Sequence, residues 1–476
     1  MTNHDLDLLS IFSLADSLWL KLTEKVEVLN AMEVGSFYLP PTSLLAPTGS
    51  SMAVYAANDP IEDRILFSNS SKDVVAAVMD GHGGAEVSEF LRQRMAETLR
   101  SSLASWTGDS DHSALKLASK HCFLQLDASW TEFAGKAFKE GFGHLNRVGS
   151  CGLAVVLRMV DEQGNSGSKL SILCANAGDC RAVLGRCSLA TDEGQEIPKR
   201  RPLGPQEEFE YEAIPLSRDH NAREIYEQKR IQKEHPNEPF SELIQCYRAG
   251  CCYVKGRLQP TRTFGDLFLK DEAFNGPNPS RSSSVNRHNT RRKVTPGAWV
   301  DRVGDIPYVT AEPEVTVTSI VTGNPYRKGN SMDQDNSSGN AQRNFVILAT
   351  DGLWDQMSSE EAVHLVAMAE RERAALVRAR GDVPRRQPSG GWRARLGFGF
   401  FRRPSTGSGD NVLRADDGGV ADGSGLPCAA QILLDEALHR AASERGLTIT
   451  ELKRIRPGRS RRGIHDDISV LVLFLK

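Results

Sequence analysis

Short apolar runs separated by turn residues dominate the first half of the chain. Residues 51–58 and 74–80 are predicted to form strands. Residues 85–106 and 113–135 carry apolar side chains every three or four positions and are predicted to form helices. Three further apolar runs within residues 151–187 are separated only by glycine turns. Because no long helix separates these runs, the strands they predict pair antiparallel.

The second half of the chain alternates less regularly between the same two patterns. It predicts helices at residues 222–235, 358–380 and 429–445, and strands at residues 307–321, 344–351 and 466–475. Few of these elements form strand–helix–strand crossovers. The pattern as a whole therefore predicts an α+β fold in which helices pack around antiparallel sheets.

Two insertions and one extension interrupt this pattern. Residues 1–45 are predicted to be an N-terminal extension whose amphipathic helix packs on the main domain, residues 46–476. Residues 276–297 are polar, basic and rich in proline and serine, and residues 381–425 are rich in glycine. Both stretches lack helical or strand periodicity, so we expect disordered surface insertions. The arginine- and aromatic-rich centre of the second insertion is either solvated or touches a membrane or partner.

Composition excludes several functional classes. The chain has 476 residues, 39% of them hydrophobic, and a formal net charge of −3, which predicts no nucleic-acid partner. It contains no apolar run of membrane-spanning length. Its nine cysteines include no CxxC pair, which favours reduced thiols over a disulfide framework or a zinc site. Acidic residues precede the first arginine, Arg64, so no mitochondrial transit peptide is visible.

A glycine-rich turn, DGHGG, follows the strand predicted at residues 74–80. A phosphate-binding P-loop would need Lys and Ser or Thr after its last glycine, and a dinucleotide-binding turn would need a small residue where Glu86 stands. Neither requirement is met. Asp80 and Gly81 are then either an ordinary turn or oxygen ligands for a hard cation.

Acidic residues recur at the ends of predicted strands. They are Glu62, Asp63, Asp80, Asp179, Asp351, Asp466 and Asp467. Carboxylates that converge at one end of a sheet repel one another unless cations neutralise them. An all-oxygen ligand set favours Mg²⁺ or Mn²⁺ over Zn²⁺. Two such ions about 4 Å apart can activate a water molecule for attack on phosphorus, so the pattern predicts a phosphoryl hydrolase without a nucleophilic side chain.

Seven motifs occur in an order that resembles the metal-dependent protein Ser/Thr phosphatases of type 2C. They are DGHGG, GSCGLAVVL, ANAGDCRAVLG, LSRDHNA, LQPTRTFGD, ATDGLWD and DDISVLVL. The resemblance implies a central β-sandwich of two antiparallel sheets flanked by helices on both sides. It also implies hydrolysis of phosphoserine and phosphothreonine in a phosphoprotein substrate, with Mg²⁺ or Mn²⁺ as cofactor.

The resemblance assigns a role to each site residue. It implies a set of metal ligands: Asp80 bridging two ions, the Gly81 carbonyl, Glu62, Asp351, Asp466, and Asp179 at a weaker third ion. His82 would be the general acid that protonates the leaving alcohol, and Asp63 would orient water. Asn58 stands where many members carry the arginine that grips the substrate phosphate, so Asn58 or the nearby Arg64 is expected there. Arg262 is expected to be structural.

A narrower resemblance is to the pyruvate dehydrogenase phosphatase catalytic subunit and its relatives. It is carried by NDPIEDR, LSRDHNAREIYEQKRIQKEHP, GRLQPTRTFGDLFLK and PGRSRRGIHDDISV. It implies the pyruvate dehydrogenase E1 component as substrate and the mitochondrial matrix as location. The absence of a transit peptide favours a general cytoplasmic signalling phosphatase instead. A third alternative is a non-catalytic scaffold, a pseudophosphatase.

Overall fold

Two antiparallel sheets lie at the centre of the protein. The structure is a computed structural model and describes residues 27–29, 35–40, 42, 44–45, 49–106, 111–161, 168–189, 209–248, 250–275, 306–321, 343–381 and 427–475. The predicted insertion 276–297, the insertion 381–425 apart from its first residue, and most of the predicted extension 1–45 lie outside the described residues.

The sheets draw their strands from distant parts of the chain. The first sheet has the order β1 (Glu27–Leu29), β4 (Arg64–Asn69), β5 (Asp73–His82), β6 (Gly149–Asp161), β7 (Ser168–Ala177), β13 (Glu314–Val321), with β12 (Phe264–Gly265) paired to β6. The second has the order β2 (Gly35–Tyr38), β3 (Ser51–Tyr55), β15 (Ile468–Phe474), β14 (Phe345–Ala349), β8 (Arg181–Leu189), β9 (Phe209–Pro215). A separate hairpin joins β10 (Ile244–Arg248) to β11 (Cys251–Val254).

Helices cover the outer faces of both sheets. The helices of the described residues are, in chain order, α1 (Glu86–Ser102), α2 (His112–Lys139), α3 (Ile225–Glu234), α4 (Phe240–Leu243), α5 (Asp351–Trp354), α6 (Ser359–Gly381), α7 (Ala429–Glu444), α8 (Ile449–Arg454) and α9 (Arg459–Arg462), with short 3₁₀ turns at Leu267–Leu269 and Glu272–Phe274. Ile231 of α3 and Leu243 of α4 lie in a separate apolar cluster. Helices α1 and α2 share an apolar core with the first sheet, and α6 and α7 share one with the second. None of the helices in the described part of the chain combines the length and apolar character needed to cross a membrane.

Alternation of side chains along β5 separates two apolar cores. Val74, Ala76 and Val78 lie in the core between the sheets, whereas the residues between them lie in the core beneath α1 and α2. Both rows are apolar because both faces of this strand are covered. The period of two places the Asp80 side chain in the row that faces the second sheet.

The predicted α+β fold with two antiparallel sheets flanked by helices is confirmed. The predicted strand 51–58 is shorter in the structure and ends at Tyr55, because the next backbone N–H groups bind a side chain instead of a neighbouring strand. The prediction of reduced thiols is wrong for one pair. The register of the β10–β11 hairpin sets Cys246 opposite Cys252 with their Cα atoms 4.1 Å apart, and the two form a disulfide.

Candidate metal centre

Three carboxylates meet at one end of the two sheets. Asp80 belongs to the end of β5, Asp179 to the turn between β7 and β8, and Asp351 to the first residue of α5, directly after β14. One carboxylate oxygen of each lies within 4.8 Å of the others. Both sheets therefore contribute to a single acidic cluster, which we call the carboxylate cluster.

A glycine fixes the turn that presents Asp179. Gly178 has φ +126°, a conformation that side chains disfavour, and a Cβ added there would lie 2.3 Å from Cβ of Cys151. Two donors hold the Asp179 carboxylate: the Asn221 amide at 2.8 Å and the Cys151 thiol at 3.1 Å. Asp179 is therefore oriented by its neighbours before any ion binds.

A second glycine brings the loop that carries Glu62 onto β5. A Cβ added to Gly81 would lie 2.4 Å from the Glu62 carbonyl oxygen and 2.9 Å from the Ser88 hydroxyl. The Ser88 hydroxyl donates a hydrogen bond to that same carbonyl at 2.6 Å. The glycine after Asp80 therefore permits a close approach of two backbone segments.

Asp467 organises the loop between β3 and β4. Its Oδ1 accepts hydrogen bonds from the backbone N–H groups of Ala57 (2.6 Å) and Asn58 (2.9 Å). Its Oδ2 accepts from the Glu62 N–H (2.8 Å) and the Asn58 side-chain amide (3.0 Å). Burial and the Asp467 carboxylate raise the pKa of Glu62. The sequence lists Asp467 among the acids at strand ends but assigns it no role of its own. The backbone N–H groups that it binds lie more than 400 residues away in the chain.

Asp63 lies beneath the cluster and is buried. Its Oδ2 accepts a hydrogen bond from the Thr350 hydroxyl at 2.9 Å, and Thr350 directly precedes Asp351. Burial and the Asp467 carboxylate raise the pKa of Asp63 well above its usual range. This contact joins the loop of Glu62 to the strand end that presents Asp351.

Burial and mutual repulsion dominate the electrostatics of the carboxylate cluster. Burial and the charge of Asp351 raise the pKa of Asp80 well above its usual range. Burial and the charge of Asp179 raise the pKa of Asp351 to about 6. Within the described residues, Oδ1 of Asp351 is buried and accepts no hydrogen bond. A buried carboxylate oxygen without a donor, among other acids, fits a divalent cation with oxygen ligands.

Two predicted ligands lie beside this group rather than within it. Neither Glu62 nor Asp466 belongs to the set of described acids whose oxygens lie within 4.8 Å of one another. Asp466 is half-buried; its Oδ1 accepts from the Asp467 N–H at 2.7 Å, and its Oδ2 contacts the Arg462 guanidinium. Their role as ligands stays a prediction.

His82 forms an ion pair with a residue that sequence reasoning passed over. Its Nε2 lies 2.7 Å from Oδ2 of Asp266, which also accepts from the Thr263 hydroxyl at 2.9 Å. Burial lowers the pKa of His82, but the neighbouring carboxylates, with Asp266 foremost, together outweigh burial and the net direction is upward. A Cβ on Gly149 would lie 2.0 Å from Asp266 and 2.3 Å from His82, so glycine leaves room for the pair. In the sequence, Asp266 is marked only by its position as the acid that ends the motif LQPTRTFGD.

The residues predicted to hold the substrate phosphate are engaged within the protein. The Arg64 guanidinium is buried and donates to Oε2 of Glu89 (2.8 Å) and to the carbonyls of Ile61 (2.9 Å) and Asp63 (2.7 Å). The Asn58 amide donates to Asp467, as described above. The structure thus commits donors of both residues to partners within the protein.

Two further residues, Arg262 and Asp355, differ in how far the sequence predicted their roles. Arg262 pairs with Glu227 at 2.8 Å and donates to the Glu312 carbonyl at 3.1 Å, as its predicted structural role requires. Asp355, one helical turn after Asp351, was not predicted. Partial burial and the charge of Asp351 raise the pKa of Asp355 to about 6.

Comparison with known proteins identifies the family. The family model for protein phosphatase 2C matches residues 50–326 and 333–380. "Probable protein phosphatase 2C 67" of Arabidopsis thaliana is 26% identical, with 89% of this chain and 82% of the relative covered. A protein phosphatase 2C homolog of Schizosaccharomyces pombe is 31% identical, with 65% of this chain and 60% of the homolog covered.

A solved serine-threonine phosphatase 2C from Toxoplasma gondii is 17% identical with a TM-score of 0.45, and the match covers 93% of this chain and 100% of that one. The family assignment rests on the family model, which covers more than half of the chain. Members of this family depend on Mg²⁺ or Mn²⁺, and the carboxylate cluster is consistent with such a site. The chain belongs to the protein phosphatase 2C family.

Proposed function

We propose that this protein hydrolyses phosphoserine and phosphothreonine in proteins, with Mg²⁺ or Mn²⁺ held at the carboxylate cluster. The single observation that carries the proposal is the convergence of three carboxylates, those of Asp80, Asp179 and Asp351. One oxygen of Asp351 is buried there and accepts no hydrogen bond within the described residues. Acids in such proximity, one of them buried and the other two half-buried, destabilise a fold unless a cation offsets their repulsion.

The residues of the site have separate roles in this proposal. The three clustered acids would hold the ions, with Glu62, the Gly81 carbonyl and Asp466 completing the ligand set. When bound, the ions would polarise the phosphoryl oxygens and lower the pKa of water.

Asp266 holds the His82 ring through Nε2 and favours its protonated form. His82 would donate a proton from Nδ1 to the serine or threonine oxygen that leaves phosphorus. Asp63 would orient the attacking water.

The test is hydrolysis of a phosphoserine peptide with Mn²⁺, with Mg²⁺ and with EDTA. Asp80→Asn should abolish turnover and weaken Mn²⁺ binding measured by calorimetry, while circular dichroism remains that of the wild type. Asp111→Asn is the matched control, because Asp111 is an exposed N-cap of α2 and asparagine caps a helix equally well. Turnover that survives Asp80→Asn, or that needs no divalent ion, would contradict the proposal. A protein that folds but shows neither metal binding nor turnover would be a scaffold instead.

We further propose phosphorylated pyruvate dehydrogenase E1 as the first substrate to try, with the mitochondrial matrix as location. This narrower proposal is supported by the motifs NDPIEDR, LSRDHNAREIYEQKRIQKEHP, GRLQPTRTFGDLFLK and PGRSRRGIHDDISV. A general cytoplasmic signalling phosphatase is the competing possibility. Comparing kcat/KM for phosphorylated E1 with that for generic phosphopeptides, and fractionating cells, separates the two.

A further inference from the structure

A concentrated run of positive charge lies immediately before Asp466. Residues 452–465 contain no Asp or Glu, although the whole chain holds 61 acidic and 58 basic residues. The cations of this run are Lys453, Arg454, Arg456, Arg459, Arg461 and Arg462. We call residues 453–462 the basic segment. All of its cations except Arg461 are exposed.

Arg461 fixes the basic segment onto the loop that carries Glu62. Its buried guanidinium donates to the Ala56 carbonyl at 2.9 Å and lies 5.1 Å from the centre of the Tyr55 ring. Nearby, the Gly458 N–H donates to the Ala57 carbonyl at 2.6 Å. These contacts hold the segment against Ala56 and Ala57, at the start of the loop that carries Glu62.

Arg462 stands at the inner end of the segment. Its guanidinium contacts Asp466, and 42% of the side-chain surface is exposed to solvent. Asp466 is one of the predicted metal ligands, so this contact places the Arg462 guanidinium at the edge of the predicted site.

Another cation near Asp351 is already surrounded by acids. Arg223 lies within 3.9 Å of Asp219, 3.5 Å of Glu224 and 3.9 Å of Asp355. Arg462, by contrast, forms one ion pair within the described residues. An arginine fork with free N–H groups at an exposed position suits the oxygens of a phosphoryl group.

Of the outer cations, Lys453 lies 3.4 Å from the Asp435 carboxylate. Arg454, Arg456 and Arg459 form no ion pair within the part of the chain that the structure describes. They precede Arg462 by three to eight positions along the chain. A ligand that complements this row would carry negative charges beside a phosphoryl group.

We propose that the basic segment is a docking surface for acidic phosphoprotein segments. Arg462 binds the phosphoryl oxygens of the substrate, and the outer arginines bind Asp, Glu or a second phosphate beside the phosphorylated residue. The proposal rests on the phosphatase activity proposed above and adds the class of substrate.

The first test compares two phosphoserine peptides of equal length, one flanked by Asp and Glu and one flanked by Gln and Ala. The variant Arg456→Gln/Arg459→Gln should lower the preference for the acidic peptide, expressed as the ratio of kcat/KM values, by about fivefold, since exposed ion pairs contribute modestly. The matched control Arg94→Gln/Lys116→Gln removes two exposed cations from α1 and α2 and should leave the preference unchanged. The preference of the wild type should also fall as salt is added.

The second test concerns the phosphoryl end. Arg462→Gln should raise KM for both peptides roughly tenfold or more, because a charge-assisted contact common to both is lost. Arg462→Lys should restore part of the affinity, since lysine keeps the charge without the fork. A loss in kcat with KM unchanged would overturn the binding role of Arg462.

Direct binding separates this proposal from the activity on which it rests. Fluorescence anisotropy with the labelled acidic phosphopeptide should show weaker binding to Arg456→Gln/Arg459→Gln, whether or not turnover occurs. Equal peptide preference and equal binding in the wild type and this variant would refute docking and leave the phosphatase proposal standing. Absence of turnover together with charge-dependent peptide binding would refute the phosphatase proposal alone. Loss of binding to phosphatidylserine vesicles, with peptide binding unchanged, would assign the segment to a membrane and overturn the proposal.

Discussion

Replacing Asp351 by asparagine should stabilise the metal-free protein at neutral pH. Asp351 sits beside Asp80 and Asp179, and one of its oxygens is buried without a hydrogen-bond donor in the described chain. Asparagine has nearly the same shape but carries no charge. The substitution therefore removes repulsion without opening a cavity.

The magnitude follows from the pKa of Asp351. Burial and the charge of Asp179 raise this pKa from 3.8 to about 6 in the folded state. An acid with a raised folded-state pKa lowers the free energy of unfolding as pH rises between the two values, because the unfolded chain gives up the proton more readily. The full effect, reached above pH 6, is at most about 3 kcal/mol. Below pH 4 it vanishes, because the carboxyl is protonated in both states.

The assay is urea denaturation in EDTA at pH 4 and at pH 7.5, followed by fluorescence. The free energies of unfolding of wild type and Asp351→Asn should differ by no more than about 0.5 kcal/mol at pH 4, and the variant should be clearly the more stable at pH 7.5. Added Mn²⁺ should then raise the melting temperature of the wild type and leave that of the variant almost unchanged. Equal stability of the two proteins at pH 7.5 in EDTA would refute the electrostatic reasoning.

Four further substitutions test the packing of the fold. Gly81→Ala should destabilise the protein by about 1–3 kcal/mol in urea, because the added Cβ meets the Glu62 carbonyl at 2.4 Å. The same change at Gly135 in α2, where the nearest atom lies 3.5 Å away, should stabilise it by about 0.5–1 kcal/mol. Cys246→Ser should cost about 2 kcal/mol relative to the oxidised protein, and dithiothreitol should abolish the difference. Leu471→Ala, in the core between the sheets, should cost roughly 3–5 kcal/mol by denaturant titration.

Local pattern determined much of this protein in advance. The strand predicted at residues 74–80 lies within Asp73–His82, the helix predicted at 85–106 contains Glu86–Ser102, and the strand predicted at 466–475 contains Ile468–Phe474. Periodicity and turn residues act over a few positions, so the sequence carries them directly. It also placed Asp80, Asp179 and Asp351 at strand ends, and strands that share a core bring such ends together.

The tertiary structure alone decided how the remaining groups are paired. The contact between His82 and Asp266 spans 184 residues, and the bonds from Asp467 to the loop of Glu62 span more than 400. No local signal reports a partner at such distances, because register and sheet packing choose it. The same holds for Arg64. Its place in the sequence predicts that it binds the substrate phosphate, but the fold buries its guanidinium against Glu89. Sequence thus determines which elements form and which residues end them, while packing determines which charges meet.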